Sequence, residues 1–172
     1  MLPGVAGLFY HDVLSGLSEA GVRFVIVGGV ALNLQGVPRF TSDLDLAVAL
    51  DGPSLAAAAR VLHRLGLRTR LPVRDEELGQ PEVVRGWIAE RNLKALSFVD
   101  PREPLREVDV LLDAPVPFEE IEATADRMEA GGLSLRVASV DVLIRMKSGT
   151  GRAQDASDVD ALRRLQEVLR GP

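Results

Sequence analysis

Two aspartates separated by one residue, Asp43 and Asp45, are the side chains whose spacing points most directly to chemistry. In a β-strand, residues two apart project from the same face, and their Cα atoms lie roughly 6.5–7 Å apart. Carboxylates so placed can converge on one or two hard cations such as Mg²⁺, which prefers oxygen ligands. The same spacing also occurs where a sheet edge faces water, so the pair alone leaves both interpretations open.

A paired glycine, Gly28-Gly29, ends an apolar segment and precedes a short helical one. Backbone N–H groups at a helix start, unobstructed by side chains, form an anion site suited to phosphate. A tight turn is the simpler interpretation of the two glycines alone. The glycines and the carboxylate pair nevertheless come from consecutive predicted strands, where they could face each other. A cation and two hydroxyl groups stand beside the carboxylates, at Arg39, Thr41 and Ser42.

A third acid, Asp109, stands in the middle of an apolar segment, where an unpaired charge is unfavourable. The alternative is an edge strand with its charged face exposed. As a functional group, Asp109 would be a third metal ligand near the attacking hydroxyl. Three carboxylates around two cations about 3.5–4 Å apart form the arrangement that carries out in-line nucleotidyl transfer.

The elements that must position these residues are an intermixed series of strands and helices. The pattern predicts strands at 23–27, 42–50, 67–71, 93–99, 107–112 and 133–137, with 93–99 and 107–112 forming an antiparallel pair. It predicts helices at 8–20, 30–35, 51–65, 75–91 with an interruption near residue 80, 118–129, 139–147 and 153–169. This order favours an α/β fold with a mixed central sheet flanked by helices. We expect a core unit at 1–138 and a C-terminal helical pair at 139–172, packed as one compact body.

Composition narrows the class of protein. The chain has 172 residues, is 47% hydrophobic and contains no cysteine, which favours a folded domain and excludes a disulfide scaffold. No apolar run approaches the ~20 residues of a membrane span, and the N-terminal residues lack the features of a signal peptide. We therefore expect a cytoplasmic protein with no membrane partner. A net charge of −5 argues against broad, charge-driven DNA binding.

Taken in order, these motifs resemble the DNA polymerase β-like nucleotidyltransferase superfamily, and more closely the AbiEii-type toxin nucleotidyltransferases and their small relatives. The residues that carry the resemblance are Gly28-Gly29-x-Ala31, Gly36, Arg39, Thr41, Asp43-x-Asp45 and Asp109. A C-terminal pattern resembles the paired helices that close those domains: Ser139 to Lys147, then Arg152, Asp155-x-x-Asp158 and Leu162.

The resemblance implies a nucleotidyltransferase fold and the Mg²⁺-dependent transfer of a nucleoside monophosphate from an NTP, such as ATP, to a hydroxyl acceptor. Asp43, Asp45 and Asp109 would be catalytic and would bind two Mg²⁺ ions, with Mn²⁺ as an alternative. Nucleotide-binding positions would be Gly28, Gly29, Arg39, Thr41, Ser42 and Lys147. Many superfamily members have Gly-Ser where this chain has Gly28-Gly29, so one hydroxyl contact to phosphate is missing.

Several assignments stay open at the level of sequence. The acceptor implied by the toxin resemblance is an RNA or tRNA end or a protein side chain, with a cognate antitoxin as partner. One alternative is a non-catalytic, antitoxin-like protein of the same fold, and another is a small-molecule nucleotidyltransferase of the aminoglycoside-modifying type. Lys147 has the simpler interpretation of a helix-end lysine that complements the helix dipole. A basic segment is favoured as solvated surface, and is the first region to test for RNA: Arg60, Arg64, Arg68, Arg70 and Arg74.

Overall fold

A computed structural model describes residues 9–171 of the chain. The strands are β1 (Phe24–Val27), β2 (Leu44–Val48), β3 (Arg68–Thr69), β4 (Ala95–Val99), β5 (Glu107–Leu111), β6 (Asp126–Ala130) and β7 (Leu133–Val137). The helices are α1 (His11–Glu19), α2 (Gly28–Gln35), α3 (Gly52–Arg64), α4 (Asp75–Leu78), α5 (Pro81–Arg91), α6 (Phe118–Ala123), α7 (Val140–Lys147) and α8 (Ala153–Arg170).

The strands form one mixed sheet in the order β3-β4-β5-β2-β1-β7-β6. β1 runs antiparallel to β2 and parallel to β7, whereas β2 runs parallel to β5. β4 and β5 pair in antiparallel fashion, as the sequence predicts. The predicted α/β fold with a mixed sheet flanked by helices is therefore confirmed.

The centre of the sheet is buried beneath helices. All four residues of β1 are buried, because this strand lies in the interior of the sheet. Leu14 of α1, Leu62 of α3, Leu143 of α7 and Leu162 of α8 join the same apolar core. The C-terminal helices thus pack onto the core that the sheet builds, while the boundary at residue 138 remains a prediction.

The predicted helix at 118–129 is wrong in its second half. Helix α6 ends at Ala123, and residues 126–130 form β6, which pairs with β7 in a hairpin. The turn between them is Gly131-Gly132, with φ angles of 59° and 79°. A two-residue hairpin turn with both central φ angles positive favours glycine, so the pair turns a hairpin instead of ending a helix.

Three further observations concern the helices. The apolar spacing of the last helix predicts that Val159, Leu162, Leu165 and Leu169 face inward, but Leu169 is 69% exposed. The predicted start of the first helix at residue 8 lies outside the described residues. In the part of the chain that the structure describes, no helix combines the length and apolar character needed to cross a bilayer.

Candidate active site

Asp45 and Asp109 are brought together by strand pairing. The register of β2 and β5 places them directly opposite each other. Adjacent strands lie about 4.8 Å apart, and directly paired residues project from the same face of a sheet. These two carboxylates, which are 64 positions apart by residue number, are therefore neighbours on one surface.

Asp43 completes the acidic group from just outside the strand. It immediately precedes β2, and Ser42 Oγ donates a hydrogen bond of 2.7 Å to Asp43 Oδ1. Asp43, Asp45 and Asp109 all line one cleft of about 570 Å³. The three acids that the sequence singles out thus share one cleft.

The acidic group is electrostatically strained. Burial raises the pKa of Asp45 to about 6, and the charges of Asp109 and Asp43 add to the rise. Burial also raises the pKa of Asp109, against the opposing effect of Ser97, whose hydroxyl donates to Asp109 Oδ1 at 2.5 Å. Buried carboxylates that repel one another are stabilised by a nearby cation.

The argument for a metal at this site rests on the carboxylate oxygens of the three aspartates. Carboxylate oxygens are the ligands that Mg²⁺ prefers, and a divalent ion would relieve the repulsion among Asp43, Asp45 and Asp109. Within residues 9–171, no group of three or more His, Cys, Asp or Glu side chains converges as a metal-binding cluster. The assignment of these three acids as metal ligands therefore remains a prediction.

The paired glycine lies against the acids, where side chains would not fit. Gly28 has a φ of +64°, and a Cβ atom added there would lie 1.9 Å from Asp45 Oδ2. Helix α2 begins at Gly28 after Val27, whose side chain gives no capping hydrogen bond. Burial raises the pKa of Asp45, and the nearby backbone amide of Gly29 partly opposes that rise. The start of α2 and the acids therefore face the same cleft.

The loop between α2 and β2 fills the space beside Gly29. A Cβ atom at Gly29 would lie 2.4 Å from Arg39 Nη1 and 2.8 Å from Thr41 Oγ1. Arg39 and Thr41 both line the cleft. Among the described residues, Ser42 does not line the cleft, and it contacts the site only through its hydrogen bond to Asp43. The hydroxyl that a Gly-Ser sequence would supply is replaced here by an arginine packed over the glycine.

Lys147 lines the cleft but is held by two acids of helix α8. Its Nζ lies 3.0 Å from Asp155 Oδ1 and 2.8 Å from Asp158 Oδ2. Arg39 Nε lies 3.2 Å from the same Asp158 oxygen. Both acids are 4% exposed. The charged residues at the start of α8 therefore form a buried cluster that fixes two cations in the cleft wall.

The surroundings of Asp155 show how firmly this cluster is held. Although burial opposes the change, hydrogen bonds from Lys147 and Thr150 lower the pKa of Asp155. Thr150 Oγ1 donates to Asp155 Oδ2 at 2.8 Å, and Arg152 Nε lies 2.7 Å from that oxygen. Thr150, Arg152 and Asp155 also line the cleft, so this loop closes one side of it.

Several cleft residues were not identified from the sequence. Lys94 and Asp113 form an ion pair at the rim, where both line the cleft. Asp113 shares the face of Asp109 by strand alternation, and this was the available signal. Ser97 gave no signal, because its contact with Asp109 depends on the β4–β5 register that places the two opposite each other.

The basic segment is largely engaged in local contacts. Arg70 donates two hydrogen bonds to Glu107, of 3.0 and 2.9 Å. Arg74 pairs with Glu77 at 3.4 Å, and Arg68 donates to the backbone oxygen of His63 at 2.9 Å. These pairings agree with the interpretation of a solvated surface.

Comparison with known proteins identifies solved structures that have a similar fold. The sequence matches no protein-family model, and no curated protein resembles it significantly. Among solved structures, it is similar to the antibiotic-resistance factor ANT(2'')-Ia in complex with adenylyl-2''-tobramycin. Identity there is 14%, coverage is 95% of this chain and 90% of that chain, and the TM-score is 0.60.

Two further structures agree. The lincomycin-bound lincosamide antibiotic adenylyltransferase LnuA is 13% identical, with coverage of 92% and 95% of the two chains and a TM-score of 0.60. An antigenic nucleotidyltransferase-like protein from Paracoccidioides brasiliensis is 14% identical, covering 93% of this chain and 74% of that one, with a TM-score of 0.57. At these identities the likeness defines the fold, and the chain has the nucleotidyltransferase fold.

Proposed function

We propose that this protein is a Mg²⁺-dependent nucleotidyltransferase that moves a nucleoside monophosphate from an NTP to a hydroxyl acceptor. The observation that carries the proposal is the direct pairing of Asp45 with Asp109 beside Gly28, where no side chain stands between the acids and the start of α2. The nucleotidyltransferase fold and the ordered motifs support the same activity.

Different residues would bind the metal ions and the phosphate groups. Asp43, Asp45 and Asp109 would hold two Mg²⁺ ions, which when bound supply activation of the acceptor hydroxyl and neutralisation of phosphate charge. Amides at the start of α2 would bind phosphate oxygens. Lys147 and Arg39 would offset the remaining negative charge from the cleft wall. The protein's own contribution is mainly positioning and preorganised charge.

The order of the strands favours one side of the cleft for the leaving pyrophosphate and the other side for the acceptor. The glycines follow β1, whereas Asp109 lies on β5, on the far side of β2. In phosphoryl-type transfers the attacking and leaving oxygens are roughly in line. With the pyrophosphate beside α2, the acceptor would enter from the β5–β4 side, where the Lys94–Asp113 pair forms the rim.

The proposal also concerns the chemical identity of the acceptor. The motif resemblance favours an RNA or tRNA end or a protein side chain, in an AbiEii-type toxin with a cognate antitoxin in the cytoplasm, where NTPs are abundant. Small antibiotics are the second candidate, because two antibiotic-modifying enzymes share this fold. The present chain aligns with 90% and 95% of their lengths. A non-catalytic role is less well supported, since all three acids are present.

The test uses each labelled NTP with Mg²⁺ and three acceptor pools: total RNA, lysate protein, and a panel of aminoglycosides and lincosamides. We expect label in one pool with the wild-type protein and none with the double variant Asp43→Ala, Asp45→Ala. Asp160→Asn, on the exposed side of α8, is the control. Absence of both label transfer and NTP binding in the wild-type protein would overturn the proposal.

A further inference from the structure

Tyr10 is a buried side chain far from the acids in sequence, yet its hydroxyl touches both segments that carry them. The residue is 1% exposed. Its hydroxyl proton has two acceptors in reach, the backbone oxygens of Ser42 at 2.5 Å and Glu107 at 2.9 Å. The hydroxyl oxygen also accepts the N–H of Glu107 at 3.1 Å. One phenol therefore links two backbone segments.

The two segments are those that place the outer acids. Ser42 immediately precedes Asp43, and Glu107 lies two residues before Asp109. The pairing of β2 with β5 begins at Leu44 and Val108, so the backbone ladder fixes Asp45 against Asp109. Asp43 precedes that first pair and lies outside the ladder. Its separation from Asp109 must therefore be set by other contacts.

The Tyr10 hydroxyl occupies the position of the next rung beyond the ladder. It bridges the backbone of Ser42, two residues before Leu44, to that of Glu107, one residue before Val108, and Leu44–Val108 is the first backbone pair. A buried hydroxyl is stable only when it is hydrogen-bonded, so the phenol holds these partners firmly. Burial raises the pKa of Tyr10 to about 12, which keeps the hydroxyl protonated as a donor.

We propose that Tyr10 is a positioning residue that sets the separation of Asp43 from Asp109, and thereby the affinity of the acidic group for divalent metal. It acts through Ser42 and Glu107 and does not itself contact substrate. The inference rests on the proposed function in one respect, which is that Asp43 and Asp109 bind a cation. Outer contacts that orient metal ligands typically change metal affinity by about 10–100-fold when removed.

The first measurement is direct metal binding by Tyr10→Phe, which keeps the ring in the core and removes the hydroxyl. Free Mn²⁺ is followed by electron paramagnetic resonance without nucleotide. We expect the Mn²⁺ dissociation constant to rise about tenfold. The matched control is Ser15→Ala, which removes an exposed hydroxyl that donates to Glu19 on α1, and should bind Mn²⁺ as the wild type does.

The second measurement reports the contact itself. The Glu107 amide donates to the Tyr10 hydroxyl, so its hydrogen exchange should accelerate in Tyr10→Phe and stay unchanged in Ser15→Ala. In the transfer assay, the Mg²⁺ concentration for half-maximal rate should rise while the KM for NTP changes little. If Tyr10 had a purely structural role, Tyr10→Phe would lower stability without raising the Mg²⁺ concentration needed for half-maximal rate.

A probe at the native residue keeps the test independent of the fold of the variant. Tyr10 is the single tyrosine of the chain, so global incorporation of 3-fluorotyrosine labels this position alone. We expect its ¹⁹F resonance to shift saturably on titration with Mg²⁺.

The outcomes separate the two proposals. If the wild type binds no Mn²⁺, both proposals are overturned. If the wild type binds Mn²⁺ but Tyr10→Phe binds it within twofold as tightly, or the ¹⁹F resonance does not follow Mg²⁺, the role of Tyr10 alone is overturned and the proposed activity stands.

Discussion

Asp45 on β2 and Asp109 on β5 lie directly opposite each other in a parallel pair of strands. Partial burial and mutual repulsion follow from this placement, because both carboxylates are half-buried in the wall of one cleft. The pKa of Asp45 rises to about 6 as a result. The pair is therefore unfavourable in the metal-free protein and is positioned to gain from a cation.

Stability of the metal-free protein should depend on pH through Asp45. Its folded-state pKa of about 6 lies above the value of 3.8 expected when unfolded, so the folded protein holds the proton more tightly. The stabilisation is fully present below about pH 4 and is lost as pH rises through about 6. Asp45→Asn should therefore be more stable than wild type at pH 7.5, by up to about 3 kcal/mol.

Urea unfolding with a chelator at pH 4.5 and 7.5 measures this difference, with Asp160→Asn as the control on an exposed site. The gain should shrink at the lower pH. Equal stability of Asp45→Asn and wild type at pH 7.5 would contradict the electrostatic account of this pair.

Removal of the Asp109 charge should affect activity more than removal of its hydrogen-bond donor. Asp109→Asn should lower nucleotidyl transfer about 10²–10³-fold, as expected when a preorganised charge at the reacting centre is lost. Ser97→Ala leaves the carboxylate but removes its 2.5 Å hydrogen bond, and should lower the rate by less than about tenfold.

Single-turnover transfer and Mg²⁺-dependent melting compare the two variants. Glu129→Gln, exposed on β6, is the control. Addition of Mg²⁺ should raise the melting temperature of wild type and Ser97→Ala, but not of Asp109→Asn. A melting response in Asp109→Asn equal to wild type would argue against its role as a metal ligand.

Replacing Gly29 with serine should weaken NTP binding. A Cβ atom there would lie 2.4 Å from Arg39 Nη1 and 2.8 Å from Thr41 Oγ1, so Gly29→Ser must displace the arginine packed over this position. We expect the dissociation constant for NTP to rise about tenfold, through the loss of one well-placed charged contact.

The matched control is Gly86→Ala, because a Cβ atom at Gly86 meets nothing within 4 Å and the residue lies inside helix α5. That variant should bind NTP unchanged and gain about 0.5–1 kcal/mol in stability. Tighter NTP binding by Gly29→Ser would show that Arg39 moves aside freely.

The buried charge cluster should be sensitive to loss of Asp158. This carboxylate faces both Lys147 and Arg39, and its removal leaves two cations short of a partner. Deleting one member of a buried ion pair typically destabilises a protein by about 3–5 kcal/mol. Urea unfolding of Asp158→Ala should show a loss of this order, against Asp160→Asn on the exposed side of the same helix.

A loss below about 1 kcal/mol would mean that the cluster is better solvated than its burial indicates. In the folded fraction, the KM for NTP should rise, because Lys147 and Arg39 lose the anchor that aims them into the cleft.

Local sequence was sufficient where short-range rules decide the outcome. Alternation around Asp43 and Asp45, the apolar segment before Gly28 and the helical pattern at 139–147 all predict elements that the structure contains. The second half of the predicted helix at 118–129 is wrong because Gly131-Gly132 fits either a helix end or a hairpin turn. Pairing with β7 across the sheet decides between them.

The sequence by itself determined which groups are present: three carboxylates, a paired glycine before a helix, and the strands that carry them. Only the tertiary structure decided which of these groups meet. Strand order and register put Asp109 opposite Asp45, placed Ser97 behind it, and brought the Tyr10 hydroxyl between the segments of Ser42 and Glu107. Such contacts join residues from 12 to 97 positions apart, and the side-chain periodicity of a strand says nothing about its neighbour in the sheet.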